Sequence, residues 1–105
     1  MTQIIAGTKT DFAIDPAILN LLPAQGSVEL QHDAAGKVHH FHTHPVDEIL
    51  MIVSGRLNSW DGGERVVGAG DTILLPAGTR HQSEALEGGA IYVIATQPPA
   101  KPINT

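Results

Sequence analysis

The sequence has no cysteine in its 105 residues, which removes disulfides and thiolate chemistry together. Any metal it holds must be bound by nitrogen and oxygen. Aromatic residues amount to 4%, so aliphatic side chains have to fill the core. Basic residues are also few. Lys9, Lys37, Arg56, Arg65, Arg80 and Lys101 are scattered and the formal net charge is -5, whereas phosphate binding needs a basic patch; no nucleic-acid partner is expected. No apolar run approaches the ~20 residues that cross a bilayer. The opening "MTQIIAGTKTDFAID" lacks the charged start and long apolar run of a secretory signal. The expectation is a soluble, cytoplasmic protein with no membrane partner.

What is present fits a globular chain: 42% hydrophobic and 16% charged residues. A single domain over residues 1–105 is expected, with an N-terminal arm (1–26), a barrel core (27–96) and an extended proline-rich tail (97–105). "PAILNLLP" (16–23) reads as one helical turn bracketed by prolines. After it the pattern becomes strand-like: "SVELQ" (27–31), "KVHHFHTH" (37–44), "DEILMIVSG" (47–55), "DTILLP" (71–76), "HQSEAL" (81–86) and "AIYVIAT" (90–96). The turn signal "HDAAG" separates the first two. Asp61-Gly62 predicts a hairpin within 55–67. Short strands punctuated by Gly and Pro predict an all-β sandwich or barrel.

Four of the six histidines fall within 39–44. Residues two apart on a strand share a face about 7 Å apart, so His42 and His44 can converge on one point. Pro45 ends the ladder there. Glu48 opens the next strand, folded back beside them, and His81 follows a turn built on Pro76 and Gly78. Three imidazoles and a carboxylate suit one divalent transition metal: Mn, Fe, Ni, Cu or Zn. His40 shares parity with His42 and is a candidate pocket residue. His39 is expected to face the opposite way, at the surface or an interface, and His32 to sit solvated in a turn. Asp71 is expected to stabilise the turn after Gly70.

These residues resemble the cupin superfamily. Gly36, His42, His44, Glu48 and Gly55 meet every fixed position of the first cupin motif, and Gly70, Pro76, Gly78 and His81 meet the second, with Ala85 where that motif has Asn. The resemblance covers about residues 27–96. It implies a small antiparallel β-barrel (a double-stranded β-helix, or jelly roll) with a metal bound by His42, His44, Glu48 and His81. An open metal position acts as a Lewis acid or activates oxygen, so the expected activity is that of a dioxygenase, or of an isomerase or lyase, on a small oxygen-bearing molecule. Gln31, Trp60, Gln82, Ser83 and Tyr92 join His40 as candidate substrate contacts. The alternative is a non-catalytic module that binds or senses a sugar or organic acid. Ile49, Met51 and Val53 lie on one side of their strand and Leu50 and Ile52 on the other, so both sides need cover. The arm "QIIAG" or the segment "PAILNLLP" could supply it, but a homodimer is expected, as the resemblance also implies.

Overall fold

The structure, a computed structural model, describes residues 2–7 and 13–97. The expected proline-rich tail and part of the N-terminal arm lie outside the described residues. One helical turn, α1 (Pro16–Leu19), is capped by the Asp15 side chain, which accepts from Ala17 N at 2.8 Å. Proline at the first helical position suits this start because its missing N–H would have had no partner. Six antiparallel strands follow: β1 (Val28–Asp33), β2 (Val38–His42), β3 (Asp47–Trp60), β4 (Glu64–Gly68), β5 (Thr72–Leu75) and β6 (His81–Gln97).

The long strands β3 and β6 pair with each other along both halves. Their halves around Glu48–Ile52 and Ala90–Ala95 are flanked by β5 and β1. Their other halves, around Leu57–Trp60 and His81–Ala85, are flanked by β4 and β2. Two layers are therefore built on the same central pair, which is the architecture of a double-stranded β-helix. The sequence reading divided β3 at Gly55 and β6 at Glu87-Gly88-Gly89, because glycine usually ends strands. Here the glycines bend them instead. Gly55 has φ +77° and Gly89 φ +76°. A Cβ on Gly55 would run into the Gly89 carbonyl oxygen, and one on Gly89 would lie 2.7 Å from the carbonyl oxygen of Asp33.

Each bend shifts which residues face inward. In β3, Glu48, Leu50 and Ile52 point in before the register shifts near Gly55, and Leu57 and Ser59 after them. In β6, His81, Ser83 and Ala85 give way to Tyr92, Ile94 and Thr96. Ile52, Leu57, Ala85, Ala90 and Tyr92 form the buried core. Ala85 is 2% exposed, and its backbone bonds to Gly36 and Lys37 secure the start of β2. The Asp61-Gly62 turn joins β3 to β4 as its sequence predicts. Asp71 closes the turn before it by accepting from Gly68 N at 2.8 Å.

The outer face of the β1–β6–β3–β5 layer is incompletely covered. Val93 and Ala95 are buried, while Leu30, Leu74 and Val53 are exposed. Ile18, Leu19 and Leu22 overlie part of it across an apolar cleft of about 250 Å³ shared with Val28, Leu30 and Val93. Ile4 and Ile5 are exposed, at 92% and 73%.

Gly55→Ala should lower stability by about 3 kcal/mol or more, since a left-handed backbone and a collision with backbone coincide. Gly36→Ala, at φ +85° but facing open space, should cost only about 1 kcal/mol. Urea midpoints of the two variants against the parent measure the difference.

Candidate metal centre

Three segments bring the histidines together. His42 ends β2, His44 lies in the connection to β3, and His81 opens β6, with His42 and His81 as backbone partners. Their ligand nitrogens lie within 4.8 Å of one another. Their ring centroids are 4.3 to 5.3 Å apart. The rings are also oriented. His81 Nδ1 lies 2.9 Å from the Thr79 carbonyl oxygen, and His42 Nδ1 bonds the His40 carbonyl. A carbonyl can only accept, so each Nδ1 carries the proton and each Nε2 keeps a lone pair. Glu48, 8% exposed, places Oε2 2.8 Å from His44 Nε2.

The connection before His81 is tied to the other two segments. Ala77 N donates to Asp47 Oδ1 at 2.7 Å and Gly78 N to the His44 carbonyl at 2.8 Å. Pro76 and Gly78 thus make a turn anchored to the segment that carries His44 and Glu48. The donor chemistry fits a divalent transition ion: the Nε2 lone pairs of His42 and His81 beside the His44 imidazole and the Glu48 carboxylate, which an ion would have to part from each other. Two ligand atoms at adjacent positions on such an ion, with bonds of about 2.1 Å, stand about 3 Å apart, close to the His44–Glu48 separation. The three nitrogens, within 4.8 Å of one another, would have to draw together toward that spacing to share one ion.

The cluster opens into a cavity of about 320 Å³. Leu50, Leu57, Ile73, Leu75 and Ile94 supply apolar wall, and among the described residues no lysine or arginine lines it. Gln31, Ser83 and Tyr92, expected as pocket residues, are on its surface. Three others are not, which corrects the expectation. His40 is exposed because a register shift between His39 and His42 breaks the parity on which its placement rested. Gln82 follows His81 and points to the opposite face, beside Trp60. Trp60 lines a separate surface groove with Phe41 and Arg80, whose guanidinium sits 4.3 Å from the Phe41 ring centre.

The same register shift turns His39 inward, against the surface or interface position expected of it. There it meets a residue the sequence reading passed over. Asp33 is 2% exposed; Oδ2 accepts from Tyr92 Oη at 2.7 Å and lies 2.9 Å from His39 Nε2, while Oδ1 accepts from Gln31 Nε2 at 2.9 Å. β1 continues through His32 and Asp33, where "HDAAG" had suggested a turn, although His32 is exposed as expected. Extending the alternation Glu29, Gln31 by one step would have found Asp33. Burial pushes the Asp33 carboxyl up, but the hydrogen bonds from Tyr92, Gln31 and His39, with the charge of His39, outweigh it and hold the pKa below the ordinary 3.8. Burial, the bond to Asp33 and the charges of Asp33 and Glu48 push the Tyr92 phenol well above its usual 10.

The chain belongs to the cupin family: the family model described as "Cupin domain" matches residues 28–95. Among solved structures it resembles the DMSP lyase DddQ from Ruegeria pomeroyi DSS-3, with 23% identity and a TM-score of 0.64 over 71% of this chain and 39% of that one. The chain thus spans about two fifths of the length of that lyase. KdgF from Halomonas sp. is 21% identical with a TM-score of 0.59, over 76% of this chain and 86% of KdgF. Bacillus subtilis oxalate decarboxylase, described with Mn(II) centres, is 24% identical with a TM-score of 0.60, over 74% of this chain and 22% of that enzyme. No curated protein gives a significant match. At these identities the structural likeness carries the fold.

The pKa shifts set a pH dependence. A depressed carboxylate adds stability above its unfolded pKa near 4, lost as pH falls through the lower folded value. A raised phenol adds stability below pH 10 that is lost as pH rises through its folded value. Tyr92→Phe should therefore cost about 1–3 kcal/mol at neutral pH. It should also flatten the alkaline decline, as read from urea midpoints across the pH range.

Proposed function

We propose that this cupin is a metal-dependent enzyme acting on a small oxygen-bearing molecule, with His42, His44, Glu48 and His81 holding one divalent transition metal. The observation that carries the reading is three converging imidazoles, two with their tautomers set by backbone carbonyls, opening into a cavity large enough for a small molecule. The metal would supply Lewis acidity toward a carbonyl or carboxylate oxygen or, if redox-active, oxygen activation. His44 and Glu48 hold one edge of the site, and His42 and His81 present Nε2 from the other. The apolar walls exclude water around the ligand body. With no lysine or arginine among the described residues of the lining, a ligand's negative charge would be met chiefly at the metal. That favours neutral or singly anionic molecules over phosphorylated ones. Among the structural neighbours the DMSP lyase is in keeping with the lyase class, and the Mn(II) centres of the oxalate decarboxylase with a divalent transition metal.

His44→Ala and His81→Ala should each weaken metal binding at least about 100-fold and leave the barrel folded, because the core is independent of the site. Metal content of untagged protein and circular dichroism decide it. Parent-like metal content in both variants would reject the site. A substrate screen with and without oxygen then separates the two reaction classes, and metal binding without turnover on any substrate favours the binding-module alternative.

We also infer a homodimer through the outer face that carries Ile49, Met51 and Val53. Leu30, Leu74 and Val53 are exposed there, and α1 overlies only one side of it. Met51→Lys should dissociate the dimer in sedimentation at micromolar concentration. A parent protein that sediments as a single species near 11.1 kDa would reject it.

A further inference from the structure

We propose that His39 is the proton acceptor of this cavity, held by Asp33, and that the ligand is a carbon acid, with a C–H bond next to the carbonyl or carboxylate that binds at the histidine cluster. The proposal rests on the metal-centre reading above and adds a residue and a substrate class to it.

The register shift in β2 places His39 on the wall of the cavity that contains His42, His44 and His81. Its Nε2 is 2.9 Å from Asp33 Oδ2. Asp33 is buried, and its side-chain partners among the described residues are Tyr92, Gln31 and His39. A carboxylate held ionised accepts only, so the His39 proton resides on Nε2 and Nδ1 keeps its lone pair. Tyr92 and Gln31 already occupy both carboxylate oxygens with donors. A third partner needed only to satisfy Asp33 could be buried with it. His39 instead stays 34% exposed and faces the cavity. A buried carboxylate behind an accessible imidazole orients the ring and stabilises its protonated form, the arrangement a general base requires.

In the step, His39 Nδ1 takes the proton from carbon. The C–H electron pair stays on the substrate and spreads into the adjacent carbonyl oxygen. Asp33 keeps its negative charge and bonds the resulting imidazolium through Nε2–H. Returning the proton to a neighbouring carbon, or to the opposite face of the same one, gives an isomerisation that needs no oxidant, reductant or co-reactant. Asp33 is a positioning residue in this scheme, because it acts through His39.

The test uses the full chain loaded with manganese in deuterium oxide, with pyruvate, dihydroxyacetone and galacturonate as probes. Exchange of the activated C–H for deuterium is followed by proton NMR. Wild type should exchange at least one probe faster than metal-free protein. His39→Gln and His39→Ala should be slower by about 100-fold or more, with metal content and circular dichroism unchanged. Added imidazole should restore at least about tenfold to His39→Ala, as free base occupying the vacated space, and nothing to His39→Gln. Nitrogen-15 NMR of the metal-free protein should find the His39 proton on Nε2, a preference that Asp33→Asn removes. Parent-like exchange in His39→Gln, a folded His39→Ala without rescue, no exchange by metal-bound wild type, or the proton on Nδ1 would each overturn the proposal. Should His39→Ala not fold, His39→Gln and the tautomer decide. Failure of wild type to bind any of manganese, iron, nickel, copper and zinc would instead overturn the metal-centre reading, and a metal other than manganese, if it is the one bound, replaces it in the exchange assay.

Discussion

Strands β3 and β6 can serve both layers of the barrel only by folding over midway, and the passage of Gly55 against Gly89 is where they do so. No side chain fits between the two backbones. Both glycines adopt the left-handed conformation that residues with a Cβ disfavour. The bend carries consequences well beyond the turn. It changes which alternate residues face inward, so that Glu48 and Leu50 share an interior with Leu57 and Ser59, and His81 and Ser83 with Tyr92 and Ile94. Without that change the His81 half and the Tyr92 half of β6 would address opposite sides of the sheet.

That constraint also explains which parts of the molecule could be read in the sequence. The convergence of His42, His44 and His81 was legible because each lies a few residues from a turn marked by Pro45, Pro76 or Gly78. Over such short spans, strand alternation holds. The double-layered barrel was legible for a similar reason, since glycine and proline recur between short apolar runs. Reading failed where alternation was extrapolated through a register shift. His39 and His40 exchanged places because the irregularity between His39 and His42 is set by pairing with β6, a long-range contact with no local marker. Trp60 and Gln82 are cross-strand partners on the outside, a pairing only tertiary register could reveal. Asp33 was missed because Asp followed by Ala-Ala-Gly resembles a turn, although the strand continues to it.

The cavity that results has two polar regions of different character. Around His42 and His81, backbone carbonyls set the ring tautomers, and the Asp47–Ala77 bond keeps the preceding connection in place. These contacts come from the chain itself, so folding alone orients the two rings. The other region depends on one buried charge. Asp33 would be costly in an apolar barrel, and the hydrogen bonds around it outweigh the cost of burial.

The contrast bears on how the two regions respond to damage. His42, His44 and His81 lie outside the core of Ile52, Leu57, Ala85, Ala90 and Tyr92, so loss of one imidazole leaves that core's packing in place. Loss of a partner of Asp33 reaches that core directly, because Tyr92 belongs to both. Tyr92 therefore couples the stability of the barrel to the charge state of the cavity. Its ring packs with Ile52 and Leu57, while its hydroxyl donates to the carboxylate that holds His39. A substitution there cannot alter one role without the other, whereas His39, partly open to the cavity, can be changed with the Tyr92 and Gln31 bonds to Asp33 still in place.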